Sequence, residues 1–161
     1  MIKIFNQILN GETNVPPTVS YLYNAFKIGQ KRRIWEDSIV GIINSFQIVS
    51  AGKIAIANAH LQQRVKNGCS PETAANLTSI ELASCSEAHC RVFLLQCGYE
   101  ILEKAASCSS PELAAVFRQL IEIYAVDLCL KSLGDLLQVS INTKTQIFNR
   151  FICFIFFIIV C

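Results

Sequence analysis

Residues 70–104 read SPETAANLTSIELASCSEAHCRVFLLQCGYEILEK, and this stretch decides the fold class. It opens on Ser70-Pro71-Glu72. A serine there can accept a hydrogen bond from an unpaired backbone N–H, proline at the first helical position sacrifices nothing, and glutamate complements the positive end of the helix dipole. Behind this start Leu77, Ile80, Ser84, Ala88, Val92, Leu95, Tyr99 and Leu102 recur in steps of three and four, which places them along one side of a helix. The signature returns at Ser110-Pro111-Glu112, followed by Leu113, Val116, Leu120, Ile123, Val126, Leu130, Leu133 and Leu137, a stripe of about seven turns. Leu82, Phe93, Leu94, Phe117 and Leu128 lie off these stripes and are apolar as well, so both helices are expected to bury more than one face. The pattern predicts an all-α fold, a helical bundle of long amphipathic helices joined by short loops.

Upstream, Pro16 and Pro17 punctuate the chain, and Val19, Leu22, Tyr23, Phe26 and Ile34 follow at near-helical spacing, predicting a first helix. Ser38 to Gly52, with two glycines and many β-branched residues, is ambiguous between strand and poor helix. From Lys53 the helical pattern resumes with Ile54, Ala57, Leu61 and Val65, and Asn67-Gly68 supplies a left-handed stop. Three parts are therefore expected: residues 1–50 with one helix, a helical domain over 51–146, and an apolar tail over 147–161. The tail's last eleven residues, FICFIFFIIVC (151–161), are all apolar, yet fall short of the ~20 that a membrane-spanning helix needs. A buried terminal element, a weak membrane tail and sequence foreign to the original fold compete, and the abrupt change of pattern favours the last.

The chain is 52% hydrophobic and 16% charged, so some of its apolar surface is expected to be covered by a partner. Lys31-Arg32-Arg33 is a short basic run without interleaved aromatics; it reads as a solvated helix face, and a nucleic-acid partner is not expected. Eight cysteines sit within apolar helical pattern, and residues 1–14 lack the features of a secretory signal. Reduced, buried thiols in an intracellular setting are expected.

Glu81, Cys85 and His89 stack along one side of the predicted helix, a spacing zinc can use. The only other histidine is His60 and there is no CxxC, so a four-ligand site cannot be assembled and no metal is expected. A Cys-His nucleophile lacks an orienting third group, and no phosphate-binding glycine loop or GxSxG is present. Gly134-Asp135 late in the last long stripe marks a close helix approach or a break.

Asn76-Leu77-Thr78-Ser79, then Ser86-Glu87-Ala88-His89, then Gly134-Asp135-Leu136-Leu137 occur in this order, with Leu61 to Val65 ahead of them. In this the chain resembles the C-terminal helical domain of the peroxisomal acyl-CoA oxidases, over roughly Ala51 to Ile141, with Tyr21 to Lys27 as a weaker match. The resemblance implies a flavoprotein fold in which FAD takes hydride from the β-carbon of an acyl-CoA while a glutamate removes the α-proton. Oxygen then reoxidises the flavin, giving hydrogen peroxide and a trans-2-enoyl-CoA. The family's catalytic glutamate and main flavin contacts lie upstream of the matched portion, so no catalytic residue is assigned here and no FAD is expected on this chain alone. By the family motif, Ser86, Glu87 and His89 are expected at an interface or near ligand, and Asn76, Thr78, Gly134 and Asp135 as structural positions. Ile34 to Gly52 departs from the pattern, and the chain ends Ile-Val-Cys rather than in a Ser-Lys-Leu type peroxisomal address. A peroxisomal location follows from the resemblance, a cytoplasmic one otherwise.

Two functions follow. The first is the C-terminal helical part of an acyl-CoA oxidase, meeting acyl-CoA only through the missing domains. The alternative is a non-catalytic dimerisation module that forms a homodimer or joins full-length oxidase subunits. A third reading, membrane tethering through the tail, is disfavoured by the tail's length.

Overall fold

The computed structural model describes residues 2–12, 14–28, 33–108, 110–141, 149 and 152. Among these are seven α-helices: α1 (Ile2–Leu9), α2 (Tyr21–Ile28), α3 (Ile39–Lys66), α4 (Pro71–Leu77), α5 (Ser79–Cys108), α6 (Pro111–Lys131) and α7 (Leu133–Val139). A 3₁₀ turn over Pro17–Val19 precedes α2. The exception to an all-α chain is a two-residue parallel ladder, β1 (Arg33–Ile34) with β2 (Ser140–Ile141), pairing Arg33 with Ser140 and Ile34 with Ile141. The tail from 151 to 161 lies outside the described residues apart from the half-exposed Ile152.

The ambiguous stretch is helical. Ser38 caps α3: its Oγ accepts from the Gly41 N–H at 2.9 Å and donates to Glu36 Oε1 at 2.8 Å. Gly41 is required by packing, because a Cβ there would stand 2.3 Å from the Glu36 carbonyl oxygen. Cap and close turn together overcome the low helix propensity of the β-branched residues, and Ile39, Ile42, Ile43, Phe46 and Val49 are buried. At the far end Gly68 takes φ +92°, and the Gly68 and Cys69 amides bond the carbonyls of Val65 and Arg64, a Schellman stop. The expected boundary at residues 50 and 51 falls inside α3. Among the described residues α3 alone is long and apolar enough to cross a membrane, yet half of its apolar window is buried within the fold, as in a core helix.

The first helix is shorter than expected. Ile34 belongs to β1 and is 80% exposed, and Arg33 pairs in the same strand instead of extending a basic helix face. Lys31 and Arg32 lie outside the described residues.

Ser70 and Ser110 cap as expected, accepting from the amides of Thr73 at 3.1 Å and Leu113 at 3.4 Å. Each long stripe is nevertheless broken. Thr78 closes α4 and Ser132 closes α6. The break near Gly134 thus lies two residues earlier, and a Cβ on Gly134 would meet nothing within 4 Å, so this glycine marks no close approach.

The chain divides into two compact units, residues 1–30 with 47–90 and residues 31–46 with 91–161. In the first, α3 and α5 run antiparallel: Lys53 bonds Ser84, His60 bonds Glu81 and Arg64 bonds Thr78. Partner numbers fall as α3 advances. In the second, α5 and α6 run antiparallel, with Arg91 bonded to Ser132 at 2.8 Å and Gly98 against Ile121, whose Cδ1 would lie 2.7 Å from an added Cβ.

The first half of the second stripe, Leu113 to Ile123, stays out of the core among the described residues, and burial begins near Val126. Leu113, Val116, Leu120 and Ile123 are exposed, whereas Ala125, Val126, Leu128 and Cys129 are buried. Leu77 and Ile80, at the head of the earlier stripe, are exposed too, but Ala88, Val92, Leu95 and Leu102 are buried. Cys85 and Cys129 are buried, Cys69 and Cys97 are half-buried and Cys90 is exposed.

Candidate functional site

The chemistry-bearing side chains gather in the first unit, on the faces α3 and α5 turn toward each other and toward α2. Tyr21, at the first position of α2 and 5% exposed, sends its hydroxyl to Ser50 Oγ of α3 at 2.8 Å and to His89 Nδ1 of α5 at 3.0 Å. The Tyr21 and His89 rings stack with centroids 5.9 Å apart and planes inclined by 15°. Burial pushes the Tyr21 hydroxyl up to about 12, against the lowering effect of the Ser50 hydrogen bond. Burial likewise raises the Cys85 thiol and holds the His89 imidazole below the usual histidine range. All three are therefore neutral near pH 7.

A second cluster lies further along α3. Arg64 donates to Thr78 Oγ1 at 2.5 Å and approaches Glu81 Oε1 at 3.6 Å, which also meets His60 Nδ1 at 3.3 Å. Thr78 is fully buried and donates to the Ala74 carbonyl at 2.6 Å. Glu81 is held below the usual carboxylate range, first by a bond to its own backbone amide, then by His60 and Arg64. Thr78 thereby ties the end of α4 to α3, a physical reason for threonine in the Asn-Leu-Thr-Ser motif.

Of the residues singled out by motif, the structure brings His89 and Thr78 into these clusters and leaves the others apart. Ser86 is exposed and donates to the Leu82 carbonyl of its own helix at 3.1 Å. Glu87 and Asn76 are exposed. Gly134 is exposed, and Asp135 stands in the first turn of α7, where a carboxylate suits the helix dipole. Motif and periodicity do not mark Tyr21, Ser50 and Arg64 individually: Tyr21 opens the weaker motif match, Ser50 sits in the ambiguous stretch, and Arg64 lies within the Leu61 to Val65 run.

A buried neutral thiol is a poor nucleophile, and among the described residues His89 bonds Tyr21 rather than Cys85. Glu81 bonds His60 and His89 bonds Tyr21, and among the described residues no three His, Cys, Asp or Glu side chains stand together to hold a metal. Tyr21, Ser50 and His89 hydrogen-bond one another, and Arg64 bonds Thr78.

Comparison with known proteins agrees with the helical reading. The acyl-CoA oxidase family pattern matches residues 38–149, opening within the stretch that sequence alone left ambiguous. Acyl-coenzyme A oxidase 1 of Drosophila melanogaster is 40% identical over 139 residues, 86% of this chain and 20% of that protein. Peroxisomal acyl-coenzyme A oxidase 1 of Bos taurus is 31% identical over 155 residues, 91% of this chain and 23% of that protein. The chain thus spans about a fifth of the length of these relatives. In structure it is similar to acyl-CoA oxidase-2 of Caenorhabditis elegans, bound with FAD, ascaroside-CoA and ATP, with a TM-score of 0.78 at 17% identity, over 92% of this chain and 22% of that one; at that identity the likeness is one of fold. With the motifs in order, the helices where they require and the pattern matched over most of its length, the chain belongs to the acyl-CoA oxidase family.

Proposed function

We propose that these 161 residues act as a packing portion of an FAD-dependent acyl-CoA oxidase, bracing the catalytic portion and a second subunit rather than holding reacting atoms. The observation that carries this reading is the outward apolar side of α6, where Leu113, Val116, Leu120 and Ile123 stand exposed. A helix with such a stripe is built to be covered. The polar clusters, by contrast, are spent on internal support. In the complete oxidase, flavin and acyl-CoA would be held by other residues, and the reaction would be oxidation of an acyl-CoA to a trans-2-enoyl-CoA with release of hydrogen peroxide. A peroxisomal setting is part of the proposal, supported by the naming of the bovine relative as peroxisomal.

The test is to purify the chain and assay flavin retention and peroxide release from long-chain acyl-CoA. The expected result is neither, together with association when a full-length acyl-CoA oxidase is co-expressed. Peroxide release by the isolated chain would overturn the reading.

A further inference from the structure

Helix α2 is eight residues long, too short to persist on its own in water, so it depends on docking. Among its described side chains Tyr21, Leu22 and Ala25 are buried, and the Tyr21 hydroxyl reaches both α3 and α5. We infer that Tyr21 and His89 form a proton-operated latch, which holds α2 in the first unit while the imidazole is neutral and loosens it when the imidazole takes up a proton.

The hydrogen-bond directions carry the argument. With a neutral imidazole whose Nδ1 is unprotonated, Tyr21 donates to Nδ1 and accepts from Ser50, and every group is satisfied. Protonation turns Nδ1 into a donor. Tyr21 then accepts from it, and one hydroxyl proton of the Tyr21–Ser50 pair loses its acceptor in a buried site, a costly position for a hydroxyl.

The surroundings offer the new charge little compensation. From α2 the facing group among the described side chains is Tyr21 itself. From α3 they are Ser50 and Lys53, the latter a cation bonded to Ser84. From α5 they are the buried Cys85 thiol, Glu81 held by His60 and Arg64, and the exposed Glu87. Burial disfavours the imidazolium. His89 is only half-buried, so solvent protons reach it. A histidine whose pKa is depressed by folding contributes its full stability above the unfolded value near 6.5, and that contribution is lost as pH falls through the window down to the folded value.

The test is amide hydrogen exchange of α2 between pH about 7.5 and about 5, corrected for intrinsic rates and referenced to α6. Protection of α2 is expected to fall with pH by up to about tenfold for each unit separating the two pKa values, while α6 stays level. H60Q should retain the fall, H89Q should abolish it, and Y21F, which keeps the stacked ring, should lower α2 protection already at neutral pH. A level α2 profile in the unmodified chain, a wild-type fall in H89Q, or an unaltered α2 in Y21F would overturn the latch. Should H89Q not fold, NMR titration of the unmodified chain decides: the His89 ring and the α2 amides should share one midpoint, and separate midpoints would refute the coupling.

Discussion

Thr78 shows how much one hydroxyl can organise. It is fully buried, accepts from Arg64 and donates to the Ala74 carbonyl, so Thr78→Val would strand a guanidinium donor at nearly constant volume. A loss of about 1–3 kcal/mol is expected in urea unfolding. Two glycines of α3 should respond in opposite senses. Gly41→Ala sets a methyl against the Glu36 backbone and should cost about 1–3 kcal/mol; Gly52→Ala meets nothing within 4 Å and should add up to about 1 kcal/mol through helix propensity. The same unfolding measurement checks both, and equal signs would contradict the packing described for Gly41. Thr78 was legible as a motif position but its partner was not, because Arg64 is distant in sequence and polar pairs leave no periodic trace. The Gly41 requirement was hidden for a related reason: a steric contact with Glu36 depends on a backbone turn that composition does not encode.

At the scale of helices, local signals proved dependable and apolar stripes less so. Ser70 and Ser110 cap where the Ser-Pro-Glu triplets predict, since a cap is decided by a few adjacent residues. Ser110→Ala should therefore lower stability by about 1 kcal/mol, with earlier loss of helical circular dichroism on heating. The ambiguity over 38–52 arose because β-branched residues and glycine argue against helix locally, while burial of Ile42, Ile43 and Phe46 decides the matter at a level that propensity does not reach. The stripe on α6 misled in the opposite direction. Periodicity reports that a face is to be buried, not by what, and Leu113, Val116, Leu120 and Ile123 are exposed in this chain. Val116→Asp with Leu120→Asp is accordingly expected to leave the helix intact, to reduce binding of a hydrophobic dye and to weaken co-purification with a full-length oxidase; retained co-purification would show that another surface makes the contact.

For the molecule as a whole, the all-α class and the family were legible from ordered motifs, whereas the division into two units was not. That division cuts through α3 and α5, so no linker, glycine run or change in composition announces it. The chain carries one tryptophan, and it belongs to the second unit, 4% exposed, with an indole N–H that finds no acceptor among the described residues. A dry indole of this kind should fluoresce at short wavelength and shift to the red only when its own unit opens. Tyr21 belongs to the other unit. Selective excitation of Trp35 would thus follow one half of the molecule optically, without any label having to be introduced.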